Sequence, residues 1–136
     1  MPYVRISPAI RRHYVSFYAS GSFTFKMSVN SGSEVVVDWG DDSNIVWEAD
    51  GTEKSVTHTY TLPDEYAVRI EGDFLEVTSI SLLNQTSCYG CLNIFNVFEN
   101  LISLDLESTG FYGALYYIER LVNLTYLNVN NTPITS

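Results

Sequence analysis

The stretch Val35-Val36-Val37-Asp38-Trp39-Gly40-Asp41-Asp42-Ser43 is the most informative part of the sequence for the fold. Its first five residues place apolar side chains at every second position up to Trp39, which is the pattern of a strand with one face in a core. The last four residues favour a tight turn, because Gly accepts positive φ and Asp and Ser hydrogen-bond nearby backbone N–H groups. We therefore predict a half-buried strand that runs directly into a turn.

Two further pieces of sequence follow this turn, His58-Thr59-Tyr60 and Tyr66-Ala67-Val68. Together the three pieces resemble the signature of PKD-like domains, in which an aromatic-Asp-aromatic-Gly-Asp-Gly turn precedes His-x-Tyr and Tyr-x-Val. The chain departs from this signature at Val37, which replaces an aromatic residue, and at Asp42, which replaces a Gly. The resemblance covers roughly residues 14–72 and implies an immunoglobulin-like β-sandwich.

Short alternating segments separated by polar turns fill the rest of residues 14–73, as is typical of an all-β sandwich. The clearest is the segment 23–29, in which apolar residues alternate with Thr24, Lys26 and Ser28. His58 and Tyr60 are predicted to fasten a corner through a hydrogen bond to the backbone, because buried rings of this kind keep a polar partner.

The apolar pattern changes after Gly72. The form L-x-x-L-x-L occurs at residues 77–82, again twenty-four residues later, and a third time twenty-three residues after that. This spacing lies within the period of leucine-rich repeats. Between these segments, apolar residues recur at i, i+3 and i+6, which predicts short helical segments. The region 74–136 therefore resembles bacterial leucine-rich repeats, although Gln85, Thr109 and Thr132 stand where an Asn ladder is usual.

The predicted fold is thus mainly β, with a PKD-like β-sandwich joined to a short leucine-rich-repeat solenoid that contains small helical segments. We divide the chain into a basic N-terminal arm or edge strand (1–13), the sandwich (14–73), and two full repeats with one partial repeat (74–136). A solenoid this short needs caps at both ends. We expect the sandwich to cap one end, and another chain or further residues to cover the other.

Charge is distributed unevenly along the 136 residues, whose net charge is −9. Residues 1–30 carry four basic and no acidic residues, whereas residues 31–136 carry three basic and sixteen acidic residues. The acidic balance disfavours nucleic acid as a partner. Arg5, Arg11 and Arg12 in the basic arm are candidate assembly contacts, or alternatively the outward residues of an edge strand. No apolar run is long enough for membrane insertion.

In leucine-rich repeats the concave sheet face commonly binds partners, and the resemblance places several polar residues there. They are Ser79, Ser81 and Leu83, followed by Ser103, Asp105 and Glu107, and then by Tyr126, Asn128 and Asn130. Such a surface could receive a glycan or a basic peptide. The alternative is an ordinary solvated sheet face.

Asp38, Asp41 and Asp42 are candidate ligands for a calcium ion. Calcium takes about six to eight oxygen ligands, and three acids within five residues supply few of them. The alternative, which we favour, is that Asp38 and Asp41 hydrogen-bond backbone amides and hold the turn.

Cys88 and Cys91 form a CxxC pair. One pair provides two of the four ligands that structural zinc needs, and the βαβ context of a redox motif is missing. Alignment of the repeats places Cys91 opposite Ala114, which predicts a core thiol, and a Cys88–Cys91 disulfide is the alternative.

The sequence contains no motif for nucleophilic, metal-dependent or phosphate-transfer catalysis, and we expect neither an enzyme nor a cofactor. The first hypothesis is a surface module, extracellular or on the cell surface, that mediates adhesion or recognition of protein or glycan. The second is a structural or decoration protein of a virion or other assembly, with neighbouring subunits, including further copies, as partners. The third is an accessory domain of a larger secreted protein. Since the N-terminus lacks a signal segment, we expect that one was removed or that export occurs by another route, such as within a phage particle.

Overall fold

The computed structural model describes residues 13–136, and the described chain is mainly β, as the sequence predicts. Arg5, Arg11 and Arg12 lie outside the described residues, so their assignment to assembly contacts stays a prediction. The strands are β1 (Tyr14–Ala19), β2 (Ser22–Val29), β3 (Val35–Asp38), β4 (Asn44–Val46), β5 (Glu53–Thr59), β6 (Tyr66–Gly72), β7 (Val77–Ser81), β8 (Ser103–Asp105), β9 (Gly113–Ala114), β10 (Tyr126–Asn128) and β11 (Ile134–Thr135).

The strands form three sheets. Four antiparallel strands make the first, in the order β1-β6-β3-β4, and five strands make the second, in the order β10-β8-β7-β2-β5. The third is a parallel pair of β9 and β11. Within the five-stranded sheet, β2 pairs antiparallel with β5 and β7, whereas β7, β8 and β10 are parallel to one another. The sheet therefore continues across the change of sequence pattern near Gly72, which the sequence did not predict.

Aromatic side chains fill the core between the four-stranded and five-stranded sheets. Phe23 packs edge-on against Trp39, and Phe25 packs edge-on against Trp47. Trp47 also donates from Nε1 to the carbonyl of Met27 at 3.0 Å, so its one polar atom is satisfied inside the core. The arrangement is compatible with a β-sandwich.

The predicted corner is present at Tyr60, whose hydroxyl donates to the carbonyl of Trp39 at 2.7 Å. Burial and nearby acidic side chains raise the pKa of this phenol above its ordinary value, so it stays protonated and remains a donor. His58 differs from the prediction, because its Nε2 contacts a carboxylate oxygen of Asp41 at 2.8 Å and not the backbone.

Two of the predicted helical segments are short 3-10 helices, Leu92–Val97 and Leu115–Ile118. A third, Phe74–Glu76, precedes β7. A 3-10 helix has three residues per turn, so side chains at i, i+3 and i+6 lie on one face. The i, i+3, i+6 spacing in the sequence therefore fits a 3-10 helix, and Leu92, Phe95 and Phe98 are all buried on one side of it.

The turns after β7, β8 and β10 use equivalent hydrogen bonds. In each turn, the side chain at the end of the strand accepts a hydrogen bond from the backbone N–H two residues later. The acceptors are Ser81, Asp105 and Asn128, and the donors are Leu83, Glu107 and Asn130, respectively. A residue with left-handed φ then follows at Asn84, Ser108 and Asn131. Further along, Thr109 and Thr132 donate to the carbonyls of Leu106 and Val129, so hydroxyls complete the turn where the sequence lacks an Asn.

Candidate functional site

Two rows of polar residues cross all five strands of the larger sheet, and we call this surface the polar face. One row runs from β5 to β10 through Glu53, Ser28, Ser79, Ser103 and Tyr126. The other runs through Ser55, Lys26, Ser81, Asp105 and Asn128. The structure therefore brings four predicted binding residues together in adjacent strands and adds β2 and β5 to the surface.

Strand alternation explains why these residues share one side. Between the two polar rows, the intervening residues point to the other face, and this row consists of Lys54, Met27, Ile80, Leu104 and Leu127. Its three central members are buried in the core. Burial of this apolar row fixes the register, because a slip by one residue would exchange the polar and apolar faces.

A hydrogen-bonded network joins the predicted binding residues at the β8–β10 end of the polar face. Glu107 accepts a 2.7 Å bond from Nδ2 of Asn128, and Oδ2 of Asp105 lies 3.5 Å from the hydroxyl of Tyr126. The other oxygen of Asp105 accepts the backbone N–H of Glu107. Asn130 is exposed at the rim and donates its backbone N–H to Asn128. The two carboxylates are thus held in fixed positions by their neighbours.

Hydroxyl groups cover the β2–β5 end of the polar face. Thr24 and Thr57 are hydrogen-bonded at 2.7 Å, and Ser22 and Thr59 at 3.0 Å. The hydroxyl of Ser79 donates to Ser28 at 2.6 Å and joins β7 to β2 on the same side. Sequence reasoning missed this half of the surface, although the polar positions of β2 were visible as an alternation.

Lys26 is the only basic residue in the two polar rows, and it stands between Ser55 and Ser81. In the part of the chain that the structure describes, it forms no ion pair. The polar face therefore offers a free ammonium group on β2 and two carboxylates near β10, with hydroxyls and amides between them.

The Asp-rich turn lies on the other sheet, away from the polar face. Asp38 accepts the backbone N–H of Gly40 at 3.0 Å, and Asp41 accepts that of Ser43 at 3.2 Å. Asp42 is exposed and has a φ of 72°. Within residues 13–136, no group of three or more His, Cys, Asp or Glu side chains is placed to hold a metal ion. The bonds of Asp38 and Asp41 are those that the turn-holding interpretation predicts.

The environment of Asp41 lowers the pKa of its carboxyl. Desolvation acts in the opposite direction, but hydrogen bonds from Ser43 and His58, together with the charge of His58, outweigh it. The imidazole of His58 also stacks on Trp39 with ring centroids 4.6 Å apart. This cluster fixes the turn to the aromatic core.

Both cysteines are free thiols in the structure. Cys88 is fully buried, and burial raises the pKa of its thiol to about 12. Cys91 is only half-buried, so the fully buried thiol is Cys88 and not Cys91, the one that repeat alignment assigned to the core.

Several large apolar side chains of β10 and of the segment before it are exposed. Val122 is 83% exposed and Leu127 is 38% exposed, while Tyr116 and Tyr126 lie on the same part of the chain with half or more of their surface accessible. This exposure agrees with the expectation that the last strand and the segment before it are uncovered in the isolated chain.

No protein-family model matches the sequence, and the comparisons with curated proteins and with solved structures found no match. Among the described residues, the helices are all too short to cross a membrane. The polar face and the exposed apolar side chains near β10 are therefore the features of the molecule that bear on its function.

Proposed function

We propose that this protein is a non-enzymatic recognition module that binds a protein or glycan ligand through the polar face. The observation that carries the proposal is the pair of polar rows that crosses all five strands. Flat sheet faces with fixed hydrogen-bonding groups can present many donors and acceptors to one ligand at little entropic cost.

The charges of the polar face favour a particular class of ligand. Asp105 and Glu107 are acceptors that would pair with hydroxyl or ammonium groups, while Tyr126 offers an exposed ring beside them. An acidic ligand would be repelled by the net charge of −9. We therefore expect neutral or amino-bearing glycans, or a basic peptide, at the β8–β10 end.

A finer description of the fold belongs to the same proposal. The Tyr60 corner and the Asp-rich turn support a PKD-like sandwich over residues 14–73. Parallel strands with equivalent turn bonds support short leucine-rich repeats over residues 74–136. An extracellular or cell-surface location would suit a module of this kind.

The test uses the whole chain on immobilised panels of neutral oligosaccharides, amino-bearing oligosaccharides and basic peptides. The informative variant combines Asp105→Asn with Glu107→Gln, which removes two charges. Asn already stands at the equivalent position 128 and accepts the same turn bond, so the fold should tolerate the first change. We expect binding to weaken roughly tenfold, since charge-assisted hydrogen bonds are the stronger ones.

The control combines Glu34→Gln with Asp64→Asn, two exposed acids outside the polar face. It changes the net charge by the same amount and should bind like the wild type. Equal binding by both double variants, or no binding of the wild type to any of the three panels, would refute recognition through the polar face.

A second candidate function is a structural role in a virion or other assembly. The exposed apolar side chains of β10 and of the segment before it favour it, because large apolar side chains left exposed on a folded chain commonly mark a contact with another protein. Light scattering on the purified chain tests it, since assembly predicts a mass above that of the monomer.

A further inference from the structure

The last turn of the repeating region is less covered than the one before it. Leu104 is fully buried, whereas Leu127, its partner in the next strand, is 38% exposed. The same contrast holds between Leu106, which is fully buried, and Val129, which is only partly buried. In the larger sheet β7 pairs with β8 and β8 pairs with β10, whereas no described strand pairs with the outer edge of β10.

The backbone at this end is open as well. Tyr126 donates its N–H to Ile102, and the carbonyl of Asn128 accepts the N–H of Leu106, so the even-numbered residues of β10 bond to β8. Because successive residues of a strand direct their backbone groups to opposite edges, both groups of Leu127 face the open edge. An edge of this kind is ready to pair with another strand.

The sequence of this end has lost the charges of the preceding repeat. Val122 stands at the position equivalent to Glu99, Asn128 at that of Asp105, and Asn130 at that of Glu107, each twenty-three residues on. Residues 121–136 contain no Asp, Glu, Lys or Arg, although the chain as a whole carries sixteen acids and has a net charge of −9.

We propose that the uncharged end formed by residues 121–136 binds a second copy of this chain, through antiparallel pairing of the two β10 strands about a two-fold axis at Leu127. This pairing places Leu127 opposite itself, where the two residues exchange both outward backbone hydrogen bonds. The apolar row of the larger sheet then continues into the second copy.

Charge distinguishes a second copy from other occupants. Two acidic molecules repel each other, but charges farther apart than about 8 Å are largely screened at physiological ionic strength. A neutral contact surface therefore lets two such molecules meet, whereas a basic partner would be attracted to the acidic surfaces and would gain nothing from an uncharged end. Self-pairing by one patch on both subunits also gives a closed dimer and not a filament.

The primary test is sedimentation equilibrium with light scattering on the whole chain over a range of concentrations up to about 100 µM. The wild type should reach the mass of a dimer and no higher. Leu127→Glu places two like charges opposite each other and should raise the dimer dissociation constant roughly tenfold or more. Leu62→Glu is the matched control, because Leu62 is an exposed apolar residue of the first region and the net charge changes equally.

Salt gives an independent readout. Since the two molecules carry the same net charge, dimerisation should strengthen as salt is raised, which is opposite to the behaviour of a basic partner on an acidic surface. The double variant Asp105→Asn with Glu107→Gln should remain dimeric, so failure of the polar-face proposal and failure of this one are separately observable.

A cysteine variant guards against loss of folding in Leu127→Glu. Directly opposed residues of a hydrogen-bonded antiparallel pair have Cα atoms about 5.5 Å apart, within the range for a disulfide. Leu127→Cys should therefore form a covalent dimer under mild oxidation, while the wild type, with its two native thiols, and Leu62→Cys should not. A monomeric wild type, growth beyond the dimer, or no cross-link at position 127 would overturn the proposal.

Discussion

The antiparallel region, residues 14–72, and the repeating region, residues 77–135, share a sheet but are stabilised differently. In the first, two sheets enclose Trp39 and Trp47, and each aromatic ring contacts others. In the second, β7, β8 and β10 lie side by side in the sheet, and burial decreases at β10, which forms the edge. The core of the antiparallel region is thus enclosed between two sheets, whereas burial in the repeating region depends on a neighbouring strand and decreases towards β10.

The largest expected effect is on the free energy of unfolding, and it is tested at two equivalent leucines of the repeating region. Leu104→Ala removes a fully buried side chain and should lower the free energy of unfolding by about 2–5 kcal/mol. Leu127→Ala should cost only about 1–2 kcal/mol in the dilute, monomeric chain, because Leu127 is already 38% exposed. Urea denaturation at low protein concentration measures both. Equal losses would mean that coverage does not fall off toward β10.

An intermediate loss of stability is expected at Gly72, which lies at the end of the antiparallel region. Its φ is +124°, and a Cβ there would lie 2.3 Å from the carbonyl oxygen of Glu34. Gly72→Ala should therefore cost about 2–4 kcal/mol, from backbone strain and overpacking together. Gly32→Ala is the matched control, since Gly32 also has positive φ but has no atom within 4 Å of its Cβ position. The control should cost about 1 kcal/mol; thermal unfolding compares the two, and similar losses would contradict the steric argument.

The smallest effect concerns pH and belongs to the antiparallel region alone. The folded pKa of Asp41 is lowered, so its stabilising contribution is fully present above the unfolded pKa of about 4 and is lost as pH falls through the folded value. The stability difference between the wild type and Asp41→Asn should therefore shrink as the pH falls below about 4 toward the lower folded value. Asp42→Asn, which removes an exposed carboxyl of the same turn, is the control for the change in net charge. Acid titration of urea midpoints tests this, and parallel curves for Asp41→Asn would count against the His58 contact.

Local features of the fold were predictable because they depend on neighbours in the chain. Alternation placed the strands of residues 14–72 within about two residues, and the i, i+3, i+6 spacing marked the segments that became 3-10 helices. The hydrogen bond of Tyr60 was expected because a buried phenol keeps a polar partner. The candidate-site residues of β8 and β10 were predictable because successive repeats of the sequence can be aligned with one another.

Long-range pairing was not predictable in the same way. The pairing of β2 with β7 joins residues far apart in the chain, and periodicity carries no information about which strand lies beside which. For this reason the β2–β5 half of the polar face was missed. The exchange of Cys91 for Cys88 as the fully buried thiol has a similar cause, since it depends on packing against β1 and the turn after β8.

The position of β2 between β5 and β7 in the five-stranded sheet has a consequence for biosynthesis. Because β2 leaves the ribosome before β7, it can pair with β5 and present a preformed edge on which the parallel strands are added in order of synthesis. Until β7 arrives, that edge is unprotected and could capture a strand from a neighbouring nascent chain. Slow translation after Gly72 would lengthen this interval and should increase misassembly on polysomes.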